Sequence, residues 1–296
     1  MGRIIQSTLT KLCSLARNSS SRFWPNIAHF TEYLLFTRSR GFKLKLKPSN
    51  EIVQATLNHL RDYGFYVIPD FFSPELCSDL RKRIDFTITN KSDLVHPGSP
   101  NDFRLYGIEN IDESFKFFST DLLLNEIASA YLGEPARAAF TLAARLEVLA
   151  DNAGSGGGWH RDSNFRQIKA MVYLSNTTDK NGSFQLISKS HKLLQSMRDN
   201  AVANQKYGEV RWTQKLIDRV LNVTGNTRLK TLTGSEGTLV IFDSSAIHRG
   251  APIMEGTRYA LTNYYYPERS ISPSVYAHFY PVAGFDKTGL IKIKLK

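Results

Sequence analysis

The stretch GSGGGWHRDSNF, residues 154–165, places a histidine and an aspartate two positions apart behind a run of glycines. On an extended backbone, residues i and i+2 project to the same side. His160 and Asp162 could therefore offer an imidazole and a carboxylate to one ion. Alone, such a pair is a common accident in a chain with 7 histidines. Far downstream, GTLVIFDSSAIHRGAP sets His248 where a β-rich run would deliver a side chain to a strand end. Two neutral imidazoles and one carboxylate bind one face of an Fe(II) ion and leave three positions open. Those positions suit a bidentate cosubstrate and O2. Ten residues after His248, Arg258 opens RYALTNYYY, and a guanidinium one strand away can grip a distant carboxylate in a planar fork.

The elements that must position these groups are legible in outline. SNEIVQATLNHLRDYG carries Ile52, Val53, Leu57 and Leu60 at helical spacing, with Asn50 as N-cap and Gly64 as stop. FYVIPDFF reads as a strand entering a turn. SPELCSDLRKRIDF opens a helix with Ser73 as N-cap and Pro74 at its first position. STDLLLNEIASAYLG is a further helix closed by Gly133. Beyond residue 138 the texture changes to short strands: AFTLAARLEVLAD, KAMVYLSN, FQLI, two strands in TLTGSEGTLVIFD, and RYALTNYYY. Strands at this spacing predict a sandwich or barrel. Residues 192–228 interrupt them and read as an insertion near the barrel mouth, a usual place for a substrate lid.

Composition bounds the rest. The 296 residues suffice for one large domain, and 42% hydrophobic content is globular. No apolar run approaches the roughly 20 residues of a spanning helix. Cys13 and Cys77 match neither a disulfide framework nor a zinc knuckle and predict two reduced thiols. The net charge of +11 is concentrated at the ends. Between Met1 and Asn50 the only carboxylate side chain is Glu32, among nine Lys and Arg residues, and the tail ends IKIKLK. Residues 1–48 fit a transit peptide, an amphipathic helix on a membrane face, or a helix packed on the domain. The expected location is accordingly cytoplasmic and peripheral to a membrane, or mitochondrial. Residues 49–285 form the single domain, and 286–296 a basic tail.

The order H-x-D, distant His, then Arg resembles the Fe(II)/2-oxoglutarate dioxygenase superfamily. RDYGFYVIPDFFSPELCSDLR resembles the opening of the phytanoyl-CoA dioxygenase family, and NGSFQLISKSHK its segment with Gly, a hydrophobic run and Ser-His-Lys. The resemblance spans roughly residues 50–270. It implies a mainly β fold with flanking helices: a double-stranded β-helix, the cupin-like jelly-roll barrel. It implies that His160, Asp162 and His248 bind Fe(II), and that Arg258 pairs with the far carboxylate of the cosubstrate 2-oxoglutarate. With O2, the family's chemistry yields succinate, CO2 and an oxidised substrate. Many relatives carry a hydroxyl residue two positions after the arginine. Here that position is Ala260, with Thr262 and Tyr264 on the same strand face as substitutes. Relatives also place a polar or basic side chain near the cosubstrate from an earlier strand, for which Arg104 and Arg145 are the candidates. His191 in SKSHK is expected to make a structural hydrogen bond, and Trp159 to pack beside the metal.

The leading expectation is a hydroxylase for a small-molecule or lipid-like substrate. Asp162 speaks against halogenation, since halogenating relatives replace that carboxylate with a small residue. A nucleic-acid or protein demethylase is the alternative that the charge suggests. DNA-repair members of the superfamily carry a second arginine six residues after the first, where this chain has Tyr264. The basic residues also cluster at the termini, so no nucleic-acid partner is expected. A non-catalytic binding barrel is the third reading. The glycines at 156–158 are not followed by Lys-Ser/Thr, which excludes a P-loop.

Overall fold

The structure, a computed structural model, describes residues 30–31, 48–96, 100–205 and 208–272. Apart from residues 30, 31 and 48, the basic N-terminal extension lies outside the described residues, as does the tail at 286–296. Helix α1 (Glu51–Tyr63) starts where the Asn50 side chain accepts from the Val53 amide at 3.0 Å, and Gly64 ends it at φ 91°. Val53, Thr56, Leu57 and Leu60 form its buried face. Ile52 is 53% exposed, because the stripe centres on Val53 and Leu60 and Thr56 fills the position that Ile52 was expected to share. Helix α2 (Pro74–Asn90) opens on the Ser73 cap with Pro74 in its first turn. The single turn α3 (Lys116–Ser119) precedes α4 (Leu122–Leu132), capped by Asp121 and closed by Gly133.

Among the described residues, nine strands form two antiparallel sheets. The larger joins β1 (Phe65–Ile68), β2 (Asp102–Tyr106), β3 (Ala136–Glu147), β4 (Ile168–Tyr173), β7 (Leu239–Asp243) and β9 (Thr257–Pro267) in the order β1-β7-β4-β9-β3-β2. The smaller joins β5 (Phe184–Ile187), β6 (Leu229–Leu232) and β8 (His248–Gly250) in the order β6-β5-β8. Isolated bridges extend the small sheet: His160 pairs with both His248 and Arg211. This is the expected jelly roll, with the smaller sheet facing the larger.

Period-2 alternation sorts the side chains. On the large sheet, Ala143, Ala170, Val172, Leu239, Ile241 and Leu261 face α1, α2 and α4 in the main hydrophobic core. Their neighbours Met171, Tyr173, Val240, Phe242 and Ala260 face inward and meet Phe184 and Leu186 of β5. Each Val, Leu, Ile, Phe or Met side chain so taken out of water is worth about 1.5–3 kcal/mol. Both faces of the large sheet are thus covered, so its central strands β4 and β7 are buried throughout, while the edge strand β1 is half-buried.

The segment 192–228 forms α5 (Leu193–Ala203) and α6 (Gln214–Thr224). Ile217, Val220 and Leu221 of α6 pack with Ile187, Ile247 and Trp159 on the outer face of the small sheet. The two helices therefore back that sheet; from the segment between them, Val210 and Arg211 line the cavity between the sheets.

Candidate active site

Three side chains converge between the two sheets of the jelly roll, which do not close into a barrel. Ligand atoms of His160, Asp162 and His248 all lie within 4.8 Å of one another. The Asp162 Oδ1 is 3.6 Å from His160 Nε2, and its Oδ2 is 3.8 Å from His248 Nε2. The backbone makes the convergence: His160 and His248 exchange both amide bonds, at 2.9 and 2.8 Å, which brings their ring centroids to 4.4 Å. The Asp162 amide then donates to the Ser244 carbonyl at 3.0 Å.

Each ring has its tautomer set. His160 Nδ1 lies 2.8 Å from the Gly158 carbonyl and His248 Nδ1 lies 2.8 Å from the Ala246 carbonyl. A carbonyl only accepts, so each Nδ1 carries the proton and each Nε2 keeps a lone pair toward the shared centre. Burial pushes both imidazoles down, His248 to about 3, so both are neutral at physiological pH. For Asp162, burial raises the carboxyl's pKa, but the charge and hydrogen bond of Lys169 override it and hold the group well below the usual carboxylate range. Neutral imidazoles beside an ionised carboxylate are a set of metal-ligating donors.

The glycine run lies against this centre. Gly156 has φ +84°, and a Cβ there would come within 2.4 Å of His160 Cε1. The loop therefore passes flat over the imidazole, at a distance that only a glycine allows. Arg161, between the two ligands, is 2% exposed; its Nη1 donates to the carbonyls of Ser190, at 2.7 Å, and Ser245. It ties the turn that carries His248 to the strand that carries His160. Asp243 braces the same turn, accepting from Tyr131 Oη at 2.6 Å and from the Ser245 amide at 2.8 Å.

These groups face a cavity of about 690 Å³ between the sheets. Arg258, Ala260, Thr262 and Tyr264 alternate into it along β9. Arg258 is 4% exposed; its Nη1 donates to the Gly182 carbonyl, and its buried Nε has no hydrogen-bond partner. Thr262 and Tyr264, expected to stand in for a hydroxyl at Ala260, share the face of Arg258. Arg104 also lines the cavity, its Nη2 donating to Asp102 at 2.6 Å and Ser155 at 3.1 Å.

Arg145 is not brought to this cavity. Its strand neighbours Ala144 and Leu146 line the space, so alternation turns Arg145 to the opposite face. There it pairs with Asp85 and Glu147, both at 2.9 Å, over the ring of Phe103. Trp159 packs behind the small sheet, its Nε1 donating to Gln214 at 2.9 Å. His191 contacts the Arg61 carbonyl at 3.2 Å, as a structural histidine would.

Sequence reasoning missed Lys169. Its Nζ lies 2.7 Å from Asp162 Oδ2 and 3.9 Å from the centroid of Tyr264. A signal was present: in IKAMVY the lysine keeps period-2 phase with Met171 and Tyr173, on the face turned to the interior.

The phytanoyl-CoA dioxygenase profile matches residues 60–256. Among solved structures, EctD from S. alaskensis in its apo form is similar at a TM-score of 0.57 and 17% identity, over 76% of this chain and 81% of that one. HygX from Streptomyces hygroscopicus, with nickel and 2-oxoglutarate bound, is similar at 0.52 and 20%, over 73% and 87%. SnoN, a non-haem α-ketoglutarate-dependent epimerase from nogalamycin biosynthesis, is similar at 0.54 and 14%, over 73% and 82%. No curated protein sequence matches the chain significantly.

Proposed function

Because this chain belongs to the phytanoyl-CoA dioxygenase family, we propose that it is an Fe(II)- and 2-oxoglutarate-dependent dioxygenase that hydroxylates a small-molecule or lipid-like substrate. The observation that carries the reading is the convergence of His160 Nε2, Asp162 and His248 Nε2 on one point, with both Nδ1 protons tied back to carbonyls.

The residues fit both groups. Two neutral nitrogens and a carboxylate oxygen suit Fe(II) and leave room for further ligands. Arg258 suits the far carboxylate of 2-oxoglutarate. It is buried at the cavity wall with an unpartnered Nε, and a buried guanidinium calls for an anion. Bound there, the metal would supply activation of O2 coupled to decarboxylation of 2-oxoglutarate, giving succinate and CO2.

The chain's own work is placement and exclusion of water. The Gly158 and Ala246 carbonyls fix the imidazoles, Arg161 and Asp243 hold the turn, and Arg258 sets the depth of the cosubstrate. Met171, Phe184, Phe242 and Ala260 supply apolar wall around the ligand cluster, which shields a reactive centre from side reactions with solvent. Tyr264 lines the wall at the position where DNA-repair relatives have their second arginine. That favours a hydroxylase over the demethylase reading.

The test is anaerobic loading with Fe(II) and 2-oxoglutarate, then exposure to O2 with soluble and lipid extracts, following succinate and substrate mass. Succinate with a gain of one oxygen atom in one extract component supports hydroxylation. Succinate with no mass change, or with loss of two hydrogens, would replace hydroxylation by epimerisation or ring closure. The same extracts with His160→Ala should yield no succinate; equal succinate from that variant would refute the site.

A further inference from the structure

Lys169 stands where an apolar residue would be expected. Along β4, Ala170 and Val172 face the helices, while Met171 and Tyr173 face inward. The interior position before them holds an ammonium group on a residue only 5% exposed. A lysine is seldom buried to that extent unless it is paired, and its partner is the carboxylate of Asp162, at 2.7 Å.

The contact divides the carboxylate. Oδ1 faces His160 Nε2 at 3.6 Å; Oδ2 lies 3.8 Å from His248 Nε2 but is held more closely, at 2.7 Å, by Lys169. A carboxylate with both oxygens free can bind a divalent ion through both. It would then fill one more coordination position, and a chelating cosubstrate needs two of the three that remain.

We propose that Lys169 is a positioning residue for the metal centre. It holds Asp162 Oδ2, so that the carboxylate offers the ion Oδ1 alone, and its charge draws in the dianionic cosubstrate. The inference rests on the reading of the site as an Fe(II)/2-oxoglutarate centre. A divalent ion, Asp162 and Lys169 together carry a net charge of +2, which matches a dianion; without the lysine the sum is +1. Lys169 therefore acts in opposite senses on the two ligands, repelling the ion and attracting 2-oxoglutarate. Arg258 remains the partner of the far carboxylate. A residue that only filled space would influence both ligands in the same direction.

Calorimetric titration separates these outcomes, using Mn(II) as the metal probe and 2-oxoglutarate added to the Mn(II)-loaded protein. Lys169→Met is expected to bind Mn(II) at least as tightly as the wild type and 2-oxoglutarate at least about tenfold more weakly. Lys169→Arg, which keeps the charge, should recover most of the 2-oxoglutarate affinity. Should the methionine variant not fold, Lys169→Gln keeps an N–H for Asp162, on a shorter side chain and without the charge. It should weaken 2-oxoglutarate binding at least about threefold with Mn(II) affinity retained. Wild-type 2-oxoglutarate affinity in the uncharged variants, or a joint loss of both affinities, overturns the role of Lys169. Failure of the wild type itself to bind Mn(II) would instead overturn the metal centre.

Discussion

Two carbonyl oxygens decide what the histidines can do. With Gly158 and Ala246 accepting from Nδ1, each Nε2 is left as a ligand. Arg258 is the matching device at the other end of the cosubstrate. Arg258→Ala is expected to weaken 2-oxoglutarate binding by about 2–5 kcal/mol, the usual cost of removing one partner of a desolvated charge pair. Calorimetry on the Mn(II)-loaded variant measures it, and unchanged affinity would assign the cosubstrate elsewhere. The triad and Arg258 could be read in the sequence because metal and carboxylate chemistry restrict residue type and spacing. Arg161 could not, because the carbonyls that it binds, of Ser190 and Ser245, are distant in the chain; Lys169 lies close to Asp162 in sequence, and strand phase was its only signal. Arg104 and Arg145 looked equivalent as letters, and strand phase alone put one in the cavity and the other against Asp85.

At the scale of elements, the site is a product of one loop and one turn. The glycine loop lies over His160, and the turn at 243–248 presents His248 across the small sheet. Gly156→Ala should displace the His160 ring, because the new Cβ would sit 2.4 Å from Cε1 in a backbone at φ +84°. The expected cost is about 1–3 kcal/mol, felt mainly as weaker Mn(II) binding. Gly133→Ala is the control. That residue has φ +78° but nothing within 4 Å of its Cβ position, so the change should lower stability by about 1 kcal/mol and leave metal affinity alone. Equal effects of the two substitutions on metal binding would mean that the loop does not hold the ring. Helix caps and the main strands were legible, since Asn50, Ser73, Gly64 and Gly133 act locally. The place of α5 and α6 was not. An amphipathic face such as Ile217, Val220 and Leu221 announces that a helix is buried, and the small sheet it covers is assembled from residues far apart in sequence.

Over the whole molecule, the jelly roll keeps its polar groups at one end of the cavity and its apolar core behind the large sheet. One buried acid stands apart from the site. Glu109, 9% exposed, accepts from the Thr141 amide at 3.1 Å, and burial raises its carboxyl to about 7. The folded state therefore holds this proton more firmly than the unfolded chain, whose carboxyl titrates near 4.5. The resulting stability is complete below pH 4.5 and is lost as pH rises through about 7. Glu109→Gln should be more stable than wild type at pH 8, by about 1–3 kcal/mol, with the difference vanishing below pH 4.5. Urea unfolding at the two pH values measures it, and a pH-independent difference would contradict the buried acid. Among the described residues, no helix is long and apolar enough to cross a membrane. The basic ends carry much of the +11 charge.

The proposed function requires one divalent ion shared by His160, Asp162 and His248. The most direct measurement is a crystal structure of the protein soaked with Mn(II), recorded with anomalous scattering. One strong anomalous peak per chain is expected, about 2.0–2.3 Å from His160 Nε2, Asp162 Oδ1 and His248 Nε2, as first-row metal–ligand bonds require. A structure at full Mn(II) loading with no peak there, or with the ion bound by other residues, would contradict it.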